Sequence, residues 1–295
     1  MATSDRTLPF RQRAEALAAR LPPLLAAAQR VAATVAQGVH GRRRIGTGEA
    51  FWEFRPYDPA DPAQKIDWRQ SAKSQNLYVR ETEWEAAQSL WLWHDRTASM
   101  AWRSAPTLPT KRERSDLLTL ALAVLLVRGG ERVALLGSDR PPASGSAVLE
   151  RLATTMSGQQ PPGSALPTPQ PLPRFAQVVL IGDLLAPLDQ TQAVVAALLA
   201  RGVRGHLLQV LDPAEEALPY DGRVRFAGLE GEDAILVPRV EDLRPAYRVR
   251  MQAHRDGLAA IARAAGWSYA CHHTDRPPQA ALLTLYAAVS RHLTA

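Results

Sequence analysis

The 295-residue chain contains a single cysteine, Cys271, so no disulfide bond can form within it. This cysteine usage is typical of a reducing compartment. Long apolar stretches are also missing. The longest run, Leu117 to Val127, is too short to cross a bilayer as a helix and predicts a buried core helix. Because the polar residues Met1 to Arg13 lack the apolar segment of a secretory signal, we expect a cytoplasmic protein without a transmembrane segment.

Known cofactor motifs are missing as well. Neither G-x-G-x-x-G nor G-x-x-x-x-G-K-[ST] occurs, so nucleotide binding has no support in the sequence. Cys271, His272 and His273 are adjacent, which is not the ligand spacing of a zinc site. We therefore interpret Cys271 as a buried structural residue.

Negative charge is in deficit. The formal net charge is +6, and nearly all basic residues are arginine. Arginine pairs with carboxylates and phosphates in a bidentate manner, so the excess suits an acidic protein partner, nucleic acid or an anionic membrane surface. It is equally the composition that an Ala/Arg-rich genome produces with no function attached.

From residue 88 onward, the chain alternates apolar strand-like segments with helical segments. This alternation predicts an α/β fold in which residues 86–295 form a doubly wound, mostly parallel sheet with helices on both faces. The Pro-, Gly-, Ser- and Thr-rich residues 157–173 predict an irregular loop, and residues 222–238 a small β-excursion. The predicted strands are 88–94, 131–137, 175–182, 204–211 and 267–272, and the predicted helices are 110–128, 145–156, 188–201, 241–265 and 277–292.

Two segments that differ from this domain in amino-acid composition precede it. Residues 1–39 are Ala/Leu-rich and interrupted by Pro22-Pro23, which predicts an N-terminal helical arm. Residues 40–85 are aromatic, basic and turn-rich, which predicts a β-rich flap. Interleaved aromatics and arginines are also typical of single-strand nucleic-acid binders, but the acidic residues mixed among them favour a flap with packed tryptophans. The candidate partner-binding residues of the flap are Arg55, Asp67, Arg69 and Arg80.

The strongest functional signal is the loop Asp95-Arg96-Thr97-Ala98-Ser99, directly after a predicted strand. Asp183 follows a second buried strand. Carboxyl ends of neighbouring parallel strands meet at one edge of the sheet, where ligands bind in open α/β folds, so we expect Asp95 and Asp183 to converge. Carboxylate and hydroxyl oxygens are ligands that Mg²⁺ or Mn²⁺ prefers. The same residues would equally serve to cap the turn after the strand.

Several segments together resemble the signature of the bacterial "domain of unknown function 58" family. Roughly residues 40 to 290 share this resemblance. The matching segments are Glu53-Phe54-Arg55-Pro56-Tyr57, Ile66-Asp67-Trp68-Arg69-Gln70-Ser71-Ala72-Lys73, Leu77-Tyr78-Val79-Arg80-Glu81, Asp95-x-Thr97-x-Ser99, Leu180-Ile181-Gly182-Asp183-Leu184 and Leu211-Asp212-Pro213-Ala214-Glu215.

The resemblance implies a fold similar to von Willebrand factor A domains, with a metal-ion-dependent adhesion site. It also implies an adaptor or chaperone-like role beside a MoxR-type AAA+ ATPase, without enzymatic activity. The implied ligands are the Thr97 and Ser99 hydroxyls with Asp95 and Asp183. The third motif of such sites, a threonine, has no clear match, and Ser164 is the best-placed hydroxyl. The site would thus be a degenerate one.

We therefore predict a non-enzymatic protein–protein interaction module in which bound Mg²⁺ or Mn²⁺ captures an acidic residue of a partner. Two alternatives remain at this point. A nucleic-acid-binding protein would use the arginine-rich surface and bind less tightly as salt rises. A metal-dependent phosphoester hydrolase would use Asp95 and Asp183, although Thr97 stands where the phosphatase pattern has aspartate.

Overall fold

The computed structural model describes residues 23–39, 50–57, 66, 68–73, 76–83, 89–158, 163–168 and 170–293. It divides into two compact units. The larger comprises residues 1–42 and 88–295, and the smaller comprises residues 43–87.

The regular elements alternate along most of the chain. The helices are α1 (Pro23–Val39), α2 (Trp68–Ser71), α3 (Lys111–Arg128), α4 (Ser146–Ser157), α5 (Leu188–Leu199), α6 (Pro213–Ala217), α7 (Val240–Ala264) and α8 (Pro278–Leu293), with a 3₁₀ helix at Ala98–Ala101. The strands are β1 (Ala50–Pro56), β2 (Tyr78–Glu83), β3 (Ser89–His94), β4 (Arg132–Leu135), β5 (Gln177–Gly182), β6 (Arg204–Leu211), β7 (Val224–Phe226), β8 (Ile235–Val237) and β9 (Ser268–His273).

A five-stranded parallel sheet in the order β4-β3-β5-β6-β9 forms the centre of the larger unit. The chain runs outward from β3 to β4, then returns past β3 to β5 and continues through β6 to β9. The direction of winding thus reverses between β3 and β5. In open α/β sheets, the crevice at the carboxyl ends of such a strand pair is where ligands bind.

Alternate side chains of β3 enter two separate apolar cores, as expected for a strand covered on both sides. Leu90 and Leu92 pack in the core that contains α1, α3, α4 and α8. Trp91 and Trp93 pack in the core that contains α5 and α7. The sheet is therefore the middle layer of an α/β sandwich, as the sequence predicted.

The apolar run in α3 is explained by its position between other elements. It packs against α1, α4, α8 and the sheet, and its residues from Leu118 to Leu126 are buried. The helix begins with a capping box, in which the Thr110 side chain accepts the Glu113 N–H while Glu113 accepts the Thr110 N–H. This cap fixes the start of α3, and hence Lys111, beside the carboxyl edge of the sheet.

Helix α1 belongs to the same unit. Its buried residues Leu25, Ala28, Ala32 and Val35 recur at helical spacing and pack on α3 and α8. The first half of the predicted N-terminal arm lies outside the described residues.

The smaller unit contains an antiparallel pair, β1 and β2, with a register shift between Phe51 and Glu53. The short helix α2 precedes β2, and the Tyr78 N–H donates to the Ser71 hydroxyl at 2.9 Å. The side chain of Trp68 is 65% exposed, so the expectation that the tryptophans of this segment are packed is wrong for Trp68.

The predicted strands and helices of the α/β domain agree with the observed bounds within a few residues. The arms of the β-excursion form the antiparallel pair β7 and β8. Helices α2 and α6 were not predicted, because both are too short to show a helical period. In the described part of the chain, no helix combines the length and apolarity needed to cross a membrane.

Candidate functional site

Two aspartates meet where the winding of the sheet reverses. Asp95 follows the end of β3, and Asp183 follows the end of the neighbouring β5. The backbone joins them closely, since the Asp95 N–H donates to the Ile181 carbonyl at 2.8 Å. We call Asp95, Thr97, Ser99 and Asp183 the rim site.

A chain of oxygen atoms runs through the rim site. Asp95 Oδ1 lies 2.8 Å from Thr97 Oγ1, Thr97 Oγ1 lies 2.9 Å from Ser99 Oγ, and Ser99 Oγ lies 2.9 Å from Asp183 Oδ2. Two hydroxyls carry only two hydrogens for these three contacts. With both carboxylates ionised, one contact has no hydrogen between its oxygens. A proton on a carboxylate or a nearby cation would relieve that contact.

Asp95 is the most desolvated member of the site. It is 0% exposed, and its Oδ2 has no hydrogen-bond partner among the residues that the structure describes. Burial, followed by the charge of Asp183, raises the pKa of Asp95 to about 6, against the lowering effect of its hydrogen bonds from Thr97. The site thus holds a buried carboxylate whose charge is incompletely compensated.

Gly182 makes this arrangement sterically feasible. A Cβ atom at Gly182 would lie 2.6 Å from Asp95 Cβ and 3.2 Å from Asp95 Oδ2. Any side chain at the end of β5 would therefore displace Asp95.

Lys111 contacts the rim site, although nothing in the sequence indicated it. Its Nζ lies 2.9 Å from Asp183 Oδ2 and 2.5 Å from Glu215 Oε1, and its side chain is 1% exposed. Burial alone lowers the pKa of Lys111, but the charges of Asp183 and Glu215 outweigh burial and raise it overall. Lys111 therefore stays protonated and neutralises part of the negative charge.

The end of β6 contributes the next part of the edge. Asp212 caps α6 by accepting the Ala214 N–H, and Glu215 Oε2 accepts the Asp212 N–H in return. Asp212 Oδ2 also accepts the Ser104 N–H at 2.9 Å. The family-like segment Leu211-Asp212-Pro213-Ala214-Glu215 therefore fixes Glu215 where it pairs with Lys111.

The loop after β3 is held from two further directions. The Arg112 guanidinium donates to the carbonyls of Arg96 and Thr97 at 2.7 and 3.0 Å. Glu230, in the loop between β7 and β8, accepts the Ser99 N–H at 3.4 Å. An exposed carboxylate thus already approaches the rim site from the solvent side.

Ser164 lies near the loop, but its hydroxyl points elsewhere. The Gly163 N–H donates to the Arg96 carbonyl at 3.3 Å, which brings the segment against the loop. The Ser164 hydroxyl donates to the Leu166 carbonyl. In this arrangement Ser164 does not join the chain of oxygen atoms.

The candidate residues of the smaller unit are only partly described. Arg69 is exposed, and Arg55 and Arg80 lie on the paired strands β1 and β2. Asp67 lies outside the described residues, as do the side chains of Arg55 and Arg80. Their predicted role in partner binding stays a prediction.

Two titratable residues outside the rim site, His94 and Cys271, lie on strands of the parallel sheet. His94 Nδ1 lies 2.7 Å from Asp116 Oδ1 in the interior. Cys271 is half-buried, less than expected, and burial raises the pKa of its thiol to about 11. Within the described ranges, no group of three or more His, Cys, Asp or Glu residues has a metal-binding arrangement. Any metal at the rim site would therefore depend on the hydroxyls of Thr97 and Ser99 as well as on the two aspartates.

The fold and the rim site define an α/β protein with a polar site at the switch point of a parallel sheet. The chain belongs to the family described as "Protein of unknown function DUF58", which matches residues 53–257. This agrees with the resemblance found in the sequence.

Two similar relatives are uncharacterised proteins of mycobacteria. They are Rv1480 of Mycobacterium tuberculosis (strain ATCC 25618 / H37Rv) and Mb1516 of Mycobacterium bovis (strain ATCC BAA-935 / AF2122/97). Each is 27% identical to this chain over 280 residues, which cover 86% of this chain and 86% of the relative.

Two solved structures were found to be similar to this chain. The conserved hypothetical protein BatB from Bacteroides thetaiotaomicron has a TM-score of 0.44 at 14% identity, covering 70% of this chain and 100% of that chain. An aerotolerance-related membrane protein from Bacteroides fragilis NCTC 9343, with multiple mutations to serines, has a TM-score of 0.42 at 15% identity, covering 69% of this chain and 99% of that chain.

Proposed function

We propose that this chain is a non-enzymatic protein–protein interaction module that captures an acidic side chain of its partner at the rim site. The observation that carries the proposal is the chain of oxygen atoms from Asp95 to Asp183, which has three contacts and two hydroxyl hydrogens. Such a site is incomplete by itself and gains from a cation.

The donor set fits a hard divalent cation. Thr97 and Ser99 would supply hydroxyl oxygens, and Asp95 and Asp183 would bind directly or through water, as Mg²⁺ and Mn²⁺ prefer. Asp95 Oδ2, which is fully buried and has no hydrogen-bond partner among the described residues, is the oxygen that would gain most from a bound cation. When bound, the cation would supply positive charge for a partner's carboxylate. In this respect the rim site would be a degenerate metal-ion-dependent adhesion site on a von Willebrand factor A-like fold.

The approach of an acidic group is supported by Glu230. Its carboxylate accepts the Ser99 N–H at 3.4 Å, so the solvent side of the loop accommodates a carboxylate beside the rim site. An acidic partner residue would displace Glu230 and make the same kind of contact. The family resemblance suggests a MoxR-type AAA+ ATPase as the partner, with this chain as an adaptor or chaperone-like component.

Binding of a purified MoxR-type AAA+ ATPase from the same organism tests this proposal. Biolayer interferometry in Mg²⁺ should detect binding that is lost in excess chelator and in Asp95→Asn. The control Asp189→Asn removes an exposed carboxylate in the first turn of α5 and should bind like the wild type. Binding that ignores both chelator and Asp95→Asn would contradict the proposal, and so would phosphoester hydrolysis in Mn²⁺ that Asp95→Asn abolishes.

A further inference from the structure

A positive charge of the protein itself already occupies one end of the rim site. Lys111 Nζ lies 2.9 Å from Asp183 Oδ2, the same oxygen that accepts the Ser99 hydroxyl. A buried ammonium is tolerated only where carboxylates compensate it, and Asp183 and Glu215 provide that compensation. The capping box of α3 fixes the backbone at Lys111, and the side chain is buried, with 1% of it exposed.

We propose that Lys111 is a built-in counter-ion that competes with a divalent cation for Asp183 and so sets the affinity of the rim site for that cation. The inference rests on the proposed function in one respect only, that the rim site is a place for a cation. It adds the residue that determines how tightly the cation is held.

The charges around the site support competition. Two carboxylates, those of Asp183 and Glu215, share the Lys111 ammonium, while the negative charge of Asp183 also acts on Asp95. At the Asp95 end, Oδ2 is buried and has no hydrogen-bond partner within the described part of the chain. Two positive charges that share Asp183 would repel each other strongly, because burial weakens the screening that water provides. A cation bound at Asp183 therefore weakens the contact between Lys111 and Asp183, and that contact weakens the binding of the cation.

Glu215 allows the exchange. Lys111 Nζ lies 2.5 Å from Glu215 Oε1, so the ammonium can release Asp183 and keep one compensating carboxylate. Glu215 is itself fixed by the capping box of α6. Lys111 thus has two carboxylate partners, and a bound cation would compete for one of them, Asp183.

Calorimetric titration with MnCl₂ tests the inference on four chains. Lys111→Met keeps the length of the side chain and removes its charge, and we expect it to bind Mn²⁺ about tenfold or more tightly than the wild type does. Lys111→Arg keeps the charge and should show no such gain. Arg128→Met removes the same charge from the exposed, opposite end of α3 and should match the wild type.

A double variant separates the inference from a folding defect. Lys111→Met/Glu215→Gln has the same net charge as the wild type and leaves no unpaired glutamate, so tighter Mn²⁺ binding in it reports the release of Asp183. Adding Asp95→Asn to this variant should abolish the increase in Mn²⁺ affinity. Circular dichroism confirms that the chains compared are folded.

The outcomes distinguish the role of Lys111 from the metal-dependent capture of a partner. Tighter Mn²⁺ binding by Lys111→Met and by the double variant supports competition, even if the wild type binds no Mn²⁺. In that case the metal-dependent capture of a partner fails and the role of Lys111 stands. Wild-type binding that Lys111→Met leaves unchanged overturns the role of Lys111 alone. Absence of Mn²⁺ binding by the folded double variant overturns both.

Discussion

The two sides of the carboxyl edge of the sheet differ in how completely their charges are satisfied. On the β6 side, Asp212 caps α6 and accepts the Ser104 N–H, and Glu215 accepts both the Asp212 N–H and the Lys111 ammonium. On the β3 side, Asp95 is just as buried as Asp212, yet its Oδ2 has no partner among the described residues.

The difference separates residues that stabilise the fold from residues that are available for binding. Buried polar groups are nearly always hydrogen-bonded, and an exception calls for an explanation. The β6 side uses its carboxylates to hold α6 and Lys111. The β3 side leaves a carboxylate that costs stability, which is a common property of binding sites.

The largest effect on stability is expected from removing the charge of Lys111, which pairs with Glu215 on the β6 side. Lys111→Met leaves Asp183 and Glu215 buried without their cation, and removing one partner of a buried ion pair costs about 3–5 kcal/mol of the free energy of unfolding. Urea unfolding without divalent metal measures this loss, with Arg128→Met as the control. A loss below about 1 kcal/mol would mean that the ion pair is compensated in another way.

Removing the charge of Asp95, on the β3 side, should increase stability instead of decreasing it. Asp95 has a pKa of about 6 in the folded chain and a reference value of 3.8, so the folded state binds more protons between these values. Stability therefore falls as pH rises from 4 to above 6, and the charged form costs about 3 kcal/mol at neutral pH. Asp95→Asn should be up to about 3 kcal/mol more stable than the wild type at pH 7 and near-equal to it at pH 4.

Unfolding free energies of both chains across this pH range, without metal, provide the measurement. Asp189→Asn should show no comparable gain, because its carboxylate is exposed. An Asp95→Asn chain that is less stable than the wild type at pH 7 would show that the carboxylate is satisfied after all.

A smaller effect is expected from the helix cap on the β6 side. Asp212→Ala removes the cap of α6 and the acceptor of the Ser104 N–H, and loss of such a cap costs about 1–2 kcal/mol. Thermal unfolding should show a lowered midpoint, in contrast to the raised midpoint of Asp95→Asn at neutral pH. If both variants shifted the unfolding midpoint in the same direction, the distinction between the β3 side and the β6 side would be lost.

The sequence was sufficient for the α/β architecture and for the meeting of Asp95 with Asp183. Continuous apolar strands such as β5 alternate with helices of ordinary length, and residues that follow neighbouring parallel strands meet at one edge. The pairing of Lys111 with Asp183 and Glu215 could not be predicted in this way. A lysine in the first turn of a helix resembles a solvated residue, and only packing brings it to the ends of β5 and β6.

Glu230 illustrates the same limit. It lies in a glycine- and acid-rich loop with no periodic pattern, and its approach to Ser99 depends on how the β7–β8 pair folds over the edge. A local signal for the position of Glu215 does exist in the segment from Leu211 to Glu215, although it shows no helical period: Asp-Pro-x-Glu is typical of a capped helix start. It predicts the cap, but not the ammonium that Glu215 binds.

The most direct test of the rim site as a cation site is an electron paramagnetic resonance titration with Mn²⁺, whose sharp signal in water weakens on binding. The wild type should reduce the free Mn²⁺ signal, and Thr97→Val/Ser99→Ala, which removes both hydroxyls and keeps both aspartates, should reduce it far less. Equal loss of signal with the two chains would show that the hydroxyl oxygens hold no cation and would contradict the account.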